Sequence, residues 1–160
     1  MAISPQMQEK IGRIESLIQN GYTLEKTKYG FIDFRKSPEK GVNIYGGFKS
    51  SPAGFSWIAF FFPFAVCAQI KEWSYFYNVG CFWLIVAVIE GMTNIPLGSN
   101  PGGGIAISML YGYMFPYLRK IAKDKGTVDG PIGQSIVIGI LLSIVSSIPA
   151  LIIDIIAGNI

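Results

Sequence analysis

Apolar residues recur at steps of three and four over the first twenty positions. Ser4 is a suitable helix cap, Pro5 suits the first helical position, and Asn20 with Gly21 ends the run. The periodicity predicts an amphipathic helix of about four turns. Its apolar face is expected either to pack on the segment that follows, or to lie on a membrane surface or against a partner. The apolar positions are Met7, Ile11, Ile14, Leu17 and Ile18.

The pattern changes over residues 22–49. Apolar residues flank a Ser-Pro-Glu-Lys-Gly turn at residues 37–41, which indicates a possible β-hairpin. Residues 49–54, KSSPAG, are typical of a compact linker. We therefore predict two parts, a cytoplasmic N-terminal module at residues 1–53 and a membrane domain at residues 54–160.

Four apolar stretches follow the linker, at about residues 55–70, 74–92, 105–118 and 132–157. A helix needs about twenty residues to cross about 30 Å of hydrocarbon. The second and fourth stretches satisfy this length. The third reaches this length if it takes in Gly102 to Gly104 at one end and if the side chains of Arg119 and Lys120 snorkel to the interface at the other. The first is interrupted by Pro63.

The basic residues favour one topology for these stretches. If all four span, the loop with Arg119, Lys120, Lys123 and Lys125 lies outside, against the positive-inside tendency. If the first stretch instead re-enters or lies in the interface, all 13 basic residues are cytoplasmic. The sequence thus predicts an all-α membrane fold with three spanning helices and a re-entrant or interfacial aromatic helix. A four-helix membrane bundle is the alternative.

The first apolar stretch is rich in aromatic residues. Phe and Trp favour the boundary between headgroups and hydrocarbon, and a proline kinks a segment that must bend. We expect an aromatic wedge at the cytoplasmic face of the membrane. The predicted interface residues are Phe55, Trp57, Phe60, Phe61, Phe62, Pro63, Phe64 and Trp73.

The segment from Phe55 to Phe64, read as F-x-W-x-A-F-F-F-P-F, resembles the domain of unknown function 2628 family of small bacterial membrane proteins. The similarity covers about residues 54–125, and MLYGYMFPYLRKIAK is similar to the last helix of that family and its basic exit. The final apolar stretch lies beyond the usual pattern. Because the family has no settled activity, the resemblance implies a bacterial inner-membrane location and no mechanism.

Composition argues against several functions. The chain has no histidine, which removes the commonest general base and metal ligand, and Cys67 and Cys81 lack a metal-binding spacing. The net charge of +3 is small and scattered, which does not favour nucleic-acid binding. We therefore expect no enzymatic activity, no cofactor and no metal site.

Three features remain as candidate sites. Glu90 and Asp154 lie near the ends of the second and fourth stretches, where they either reach water or form a paired acidic site for a cation or proton. The Gly-rich loop at residues 98–104 is expected to be a turn between two spans. Small residues recur every four positions in the last stretch, a helix-packing pattern within the chain or with another chain. They are Ser135, Gly139, Ser143 and Ser147.

These observations predict a multi-pass protein of the bacterial inner membrane with a cytoplasmic N-terminus. It would be a non-enzymatic interaction or structural component of the membrane. A small oligomeric transporter or channel subunit is the alternative. The expected partners are membrane lipid and either further copies of the chain or another membrane protein.

Overall fold

The computed structural model describes residues 4–37, 40–46, 51–98 and 101–158. The chain is mostly helical, with one small antiparallel sheet. Parts of the predicted linker (residues 49 and 50) and of the Gly-rich loop (residues 99 and 100) lie outside the described residues. In chain order the elements are α1 Pro5–Gln19, β1 Thr23–Lys26, β2 Ile32–Ser37, β3 Lys40–Gly41, α2 Trp57–Phe61, α3 Pro63–Gln69, α4 Ser74–Thr93, α5 Gly102–Asp124 and α6 Ile132–Ala157.

Helix α1 begins and ends where the sequence predicts. The Oγ of Ser4 accepts a hydrogen bond from the backbone N–H of Met7 at 3.3 Å, and Pro5 occupies the first turn. Met7, Ile11 and Ile14 are buried and pack into the main apolar cluster. The apolar face is thus buried within the chain, although the expectation was that it packs on the segment that follows α1. The principal partner of α1 is the second half of α5.

The sheet has the order β1-β2-β3 with antiparallel pairing. The pair β2 and β3 confirms the hairpin predicted around residues 37–41. Strand β1 is an addition to the prediction, paired so that Leu24 lies opposite Phe34. Its sequence, Thr-Leu-Glu-Lys, places only one apolar side chain toward the core. The alternation of apolar and polar residues is therefore too weak to predict a strand here.

Helix α5 has two halves with different surroundings. Residues 102–110 are exposed or half-buried, whereas residues 111–120 are all buried. The second half packs against α1, α2 and the sheet, with the Tyr117 ring 5.5 Å from that of Phe34. The predicted third span is therefore only half available to lipid. We call α1, the sheet, α2, α3 and residues 111–124 of α5 the head.

The basic end of α5 is folded into the head. Arg119 is buried and donates to both carboxylate oxygens of Asp129, one of them at 2.7 Å. Lys120 is buried and lies 2.6 Å from Asp124 Oδ2. The expectation that these two side chains snorkel from a membrane helix is wrong, because each has an acidic partner within the protein.

Helices α4 and α6 run parallel. A Cβ added at Gly80 would lie 2.7 Å from the Ser146 carbonyl oxygen, and one at Gly91 would lie 3.1 Å from the Ala157 Cβ. The two contacts are therefore separated by the same number of residues in both helices, which fixes the parallel direction. Helix α5 runs the other way beside α4, with Tyr111 near Asn78 and Gly103 near Phe82.

Among the described residues, two helices are long and apolar enough to cross a membrane, Ser74–Thr93 and Ile132–Ala157. Only 11% of the most apolar window of each is buried. At 1.5 Å per residue they extend about 30 Å and about 39 Å. Helices α2 and α3, of five and seven residues, are too short to span.

Candidate membrane interface and polar cavity

The aromatic segment forms two short helices separated by a break. Helix α2 ends at Phe61, the next residue Phe62 has φ and ψ of −132° and 52°, and Pro63 starts α3. Proline favours the first turn of a helix and cannot continue the preceding one, so the sequence itself specifies this break. The segment bends within the protein, in agreement with the expectation of a non-spanning element.

The structure divides the predicted interface residues into three groups by their exposure. Trp57, Phe61, Phe62 and Trp73 are exposed, the first three by 58%, 62% and 54%. Phe60 and Phe64 are half-buried. Phe55 and Pro63 are buried, so their assignment to a lipid-facing surface is wrong.

Phe55 is buried because α5 has a glycine at the facing position. A Cβ at Gly112 would lie 2.3 Å from the Phe55 ring, which packs edge-on against Tyr113 at 4.9 Å between centroids. The carbonyl of Gly112 also accepts a hydrogen bond from the Ser56 N–H at 2.8 Å. Within a helix that carbonyl would be bonded by residue 116, but Pro116 has no N–H to donate. The proline therefore creates the acceptor to which the aromatic segment docks.

A half-buried cation contacts the same junction from the other side. The ammonium of Lys10 on α1 donates to the backbone carbonyl of Phe55. Burial lowers the pKa of Lys10, and the neighbouring Arg13 lowers it further. Helices α1, α2 and α5 thus converge on one backbone segment, residues 55 and 56.

The predicted small-residue stripe of α6 is buried at its start and exposed at its end. Ser135 and Gly139 are buried, and a Cβ at Gly139 would lie 2.7 Å from the Phe64 carbonyl oxygen of α3. The hydroxyl of Ser143 bonds within the helix to the carbonyl of Gly139 at 2.8 Å, and Ser147 is exposed. A four-residue step rotates by about 40° around a helix with 3.6 residues per turn, so three steps turn the stripe away from α3.

Helix α4 packs on α6 through a different set of small residues. Gly80 and Gly91 on α4 meet Ser146 and Ala157 on α6. Sequence reasoning missed this seam. Its signal was available as two glycines eleven residues apart, three turns along one face of α4.

A cavity of about 710 Å³ lies beside this seam, at the end of α4 and α6 remote from the head. The structure brings Glu90 and Asp154, the predicted acidic pair, to the walls of this one cavity. Residues 94–98 fold back along α4 to form a third wall. The remaining lining is mainly apolar, and includes Trp83, Ala150 and Leu151.

Glu90 has a structural partner. Its Oε1 accepts a hydrogen bond from the Gly98 N–H at 2.7 Å, and so satisfies a backbone donor of the non-helical return loop. Gly102, Gly103 and Gly104 form the first turn of α5. The Gly-rich segment was expected to be a turn throughout, but its residues 102–104 are helical, and the Gly98 amide is bound to a carboxylate from α4.

Polar contacts connect the sheet to the first turns of α4. Glu72 is buried and bonds to Lys26 through both carboxylate oxygens at 2.9 Å, and it also accepts from Ser74. The Asn78 amide donates to the Tyr29 carbonyl at 3.0 Å and to the Tyr111 hydroxyl at 3.2 Å. The turn between β1 and β2 is therefore held against the start of α4.

Comparison with protein-family models, curated proteins and solved structures finds no match to this chain.

Proposed function

We propose that this chain is an integral membrane protein that holds its head against the cytoplasmic face of the inner membrane as an interaction or structural component. The observation that carries the proposal is the exposure of α4 and α6. A helix of this hydropathy in a soluble core would be mostly buried, whereas only 11% of each apolar window is covered here. Lipid is the environment that such faces require.

The parallel direction of α4 and α6 supports three crossings. If both helices leave the head side, the chain must return between them. The described residues 94–98 and the first half of α5 would then belong to a discontinuous return crossing. Residues 94–98 are exposed, and non-helical backbone at membrane depth requires partners for its polar groups; Glu90 supplies one, for the Gly98 N–H.

The exposed aromatics support the position of the head. Trp73 lies at the start of α4, and Trp57, Phe61 and Phe62 project from α2 within the head. Aromatic rings of this kind favour the headgroup level. The proposed boundary passes through these residues, with the sheet and α1 on the cytoplasmic side.

Alkaline extraction of membranes tests the proposal. The chain should stay in the membrane pellet, and Ile140→Lys, on the exposed face of α6, should weaken its retention. Val128→Lys, at an exposed position in the loop before α6, is the matched control and should not. Recovery of the wild-type chain as a compact monomer in detergent-free buffer would overturn the proposal.

A small oligomeric transporter or channel subunit is the second candidate, and the cavity with Glu90 and Asp154 favours it. Carboxylates near a broken crossing are typical of ion pathways. Asn78 is engaged with Tyr29 and Tyr111 about 18 Å along α4 from Glu90, so the two do not line one short path. A cation flux into proteoliposomes that Glu90→Gln and Asp154→Asn both abolish would support this candidate.

A further inference from the structure

An apolar groove of about 410 Å³ runs between α4 and α6 at the head end of these helices. Trp73 and Tyr77 lie at its start, and Leu84 marks its far end on α4. Pro149 closes the groove on α6. It is separate from the cavity with the two carboxylates, because the two have no lining residue in common.

The length of the groove suits one leaflet of a bilayer. From Trp73 to Leu84 it extends about 16 Å along α4, and half of the hydrocarbon thickness is about 15 Å. A transmembrane helix from a partner would require contact along the whole of α4. The groove stops at Leu84, well before Thr93, and so matches an acyl chain of the leaflet on the head side.

Two cationic side chains lie at the same end as the start of the groove. Lys71 is exposed, with a φ of 58°, two residues before Trp73. Lys28 is exposed two residues before Gly30, where a Cβ would come within 2.2 Å of the Ser74 Oγ. Within the part of the chain that the structure describes, neither ammonium has a carboxylate partner, whereas the neighbouring Lys26 is paired with Glu72.

We propose that this groove binds one acyl chain of an anionic glycerophospholipid, with the headgroup phosphate held by Lys28 and Lys71. The inference rests on the proposed membrane location of α4 and α6. The apolar walls select the chain, and the two exposed ammonium groups, that of Lys28 lying 4.9 Å from the Tyr29 ring centroid, select a negative headgroup over a zwitterionic one. Bound lipid would fill the groove between α4 and α6 next to the head.

Fluorescence quenching tests the site directly. The chain has three tryptophans. The Trp57→Phe, Trp83→Phe double variant keeps only Trp73, which lies on the wall of the groove. Detergent-solubilised protein is titrated with phosphatidylglycerol or phosphatidylcholine that carries brominated acyl chains. Phosphatidylglycerol should quench Trp73 at lower concentration. Lys28→Gln and Lys71→Gln should each weaken its binding roughly fivefold.

Matched variants separate the site from general effects. Lys36→Gln and Lys125→Gln remove exposed lysines elsewhere and should leave the titration unchanged. Cys81→Phe fills the groove and should remove quenching, whereas Ile85→Phe, exposed one turn further along α4 and outside the groove, should not. If Cys81→Phe fails to fold, the lysine variants still decide, because their side chains are exposed.

Three outcomes would overturn the site. Equal quenching by both lipids, unaffected by the lysine variants, would indicate a non-selective lipid annulus. Quenching that survives Cys81→Phe would place the lipid elsewhere. A dimer that Cys81→Phe converts to a monomer would show that a second copy of the chain fills the groove. Each of these is distinguishable from failure of the proposed function, in which alkaline extraction would release the chain from the membrane.

Discussion

At the scale of single residues, the docking of the aromatic segment depends on two atoms that α5 lacks. Gly112 has no Cβ, which leaves room for the Phe55 ring, and Pro116 has no N–H, which leaves the Gly112 carbonyl for Ser56. Both residues are evident in the sequence, but nothing in the sequence predicts that they contact residues 55 and 56. Such a connection requires the tertiary approach of α2 to α5.

Gly112→Ala should destabilise the head by about 1–3 kcal/mol, because the new methyl group overlaps a buried ring. Gly104→Ala in the same helix is the control, since nothing lies within 4 Å of its Cβ position. Alanine there should stabilise the helix by up to about 1 kcal/mol. Unfolding of the detergent-solubilised chain in denaturant measures both, and equal effects would contradict the packing described for Phe55.

Cys67 should be unreactive toward a water-soluble maleimide until the head unfolds, because it is fully buried in α3. Burial raises the pKa of this thiol well above its usual value, and the nearby Glu72 raises it further. The folded state therefore retains the proton after the unfolded thiol has lost it. Stability present at neutral pH should fall as pH rises through about 8.5, the usual thiol pKa.

Denaturant midpoints at pH 7.5 and 9.5 for the wild type and for Cys67→Ala measure this contribution. The wild type should lose more stability between the two pH values than the variant does. Identical losses would show that the thiol is not protected in the folded state.

At the scale of elements, local signals in the sequence located the helices well. Ser4, Pro5, Asn20, Pro63 and Pro131 lie at or next to helix ends in the structure, since caps and prolines act over a few residues. The environment of α5 was much harder to predict. Its run of tyrosine, methionine, phenylalanine and leucine suits lipid and a soluble core equally well. Only its contacts with Ile14 and Phe34 assign it to the head.

Pro116→Ala should stabilise the chain by much less than the roughly 3 kcal/mol expected when a proline leaves a helix interior. The Gly112 carbonyl already has the Ser56 N–H as its donor, so the new N–H would compete with an existing bond. Thermal unfolding followed by circular dichroism measures the change. A stabilisation by the full value of roughly 3 kcal/mol would indicate that the hydrogen bond from the Ser56 N–H contributes little to stability.

At the scale of the whole molecule, the parallel course of α4 and α6 and the charge distribution agree with one topology. In the proposed topology, α4 and α6 both leave the head side and the chain returns between them, so the described basic residues of the head lie on one side of the membrane. The sequence suggested this arrangement through its charges. It could not show that residues 111–120 of α5 are buried in the head, because their burial depends on tertiary contacts.

Labelling from the two sides of the membrane should distinguish Met92→Cys from Lys123→Cys in a Cys81→Ser background. Met92 is 79% exposed at the far end of α4, and Lys123 is exposed on the head. An impermeant maleimide should modify the first only from outside and the second only from the cytoplasmic side. Modification of both from one side would exclude the proposed crossing of α4.

Helix α5 is continuous from its glycine-rich start to Asp124, so a single helix joins the exposed or half-buried residues 102–110 to the core of the head. Thinning of the bilayer tilts embedded helices, and a rod of 23 residues would convert that tilt into a sideways displacement of the whole head. In the proposed membrane location, α5 would act as a lever, with residues 102–110 among the acyl chains and residues 111–124 held in the head.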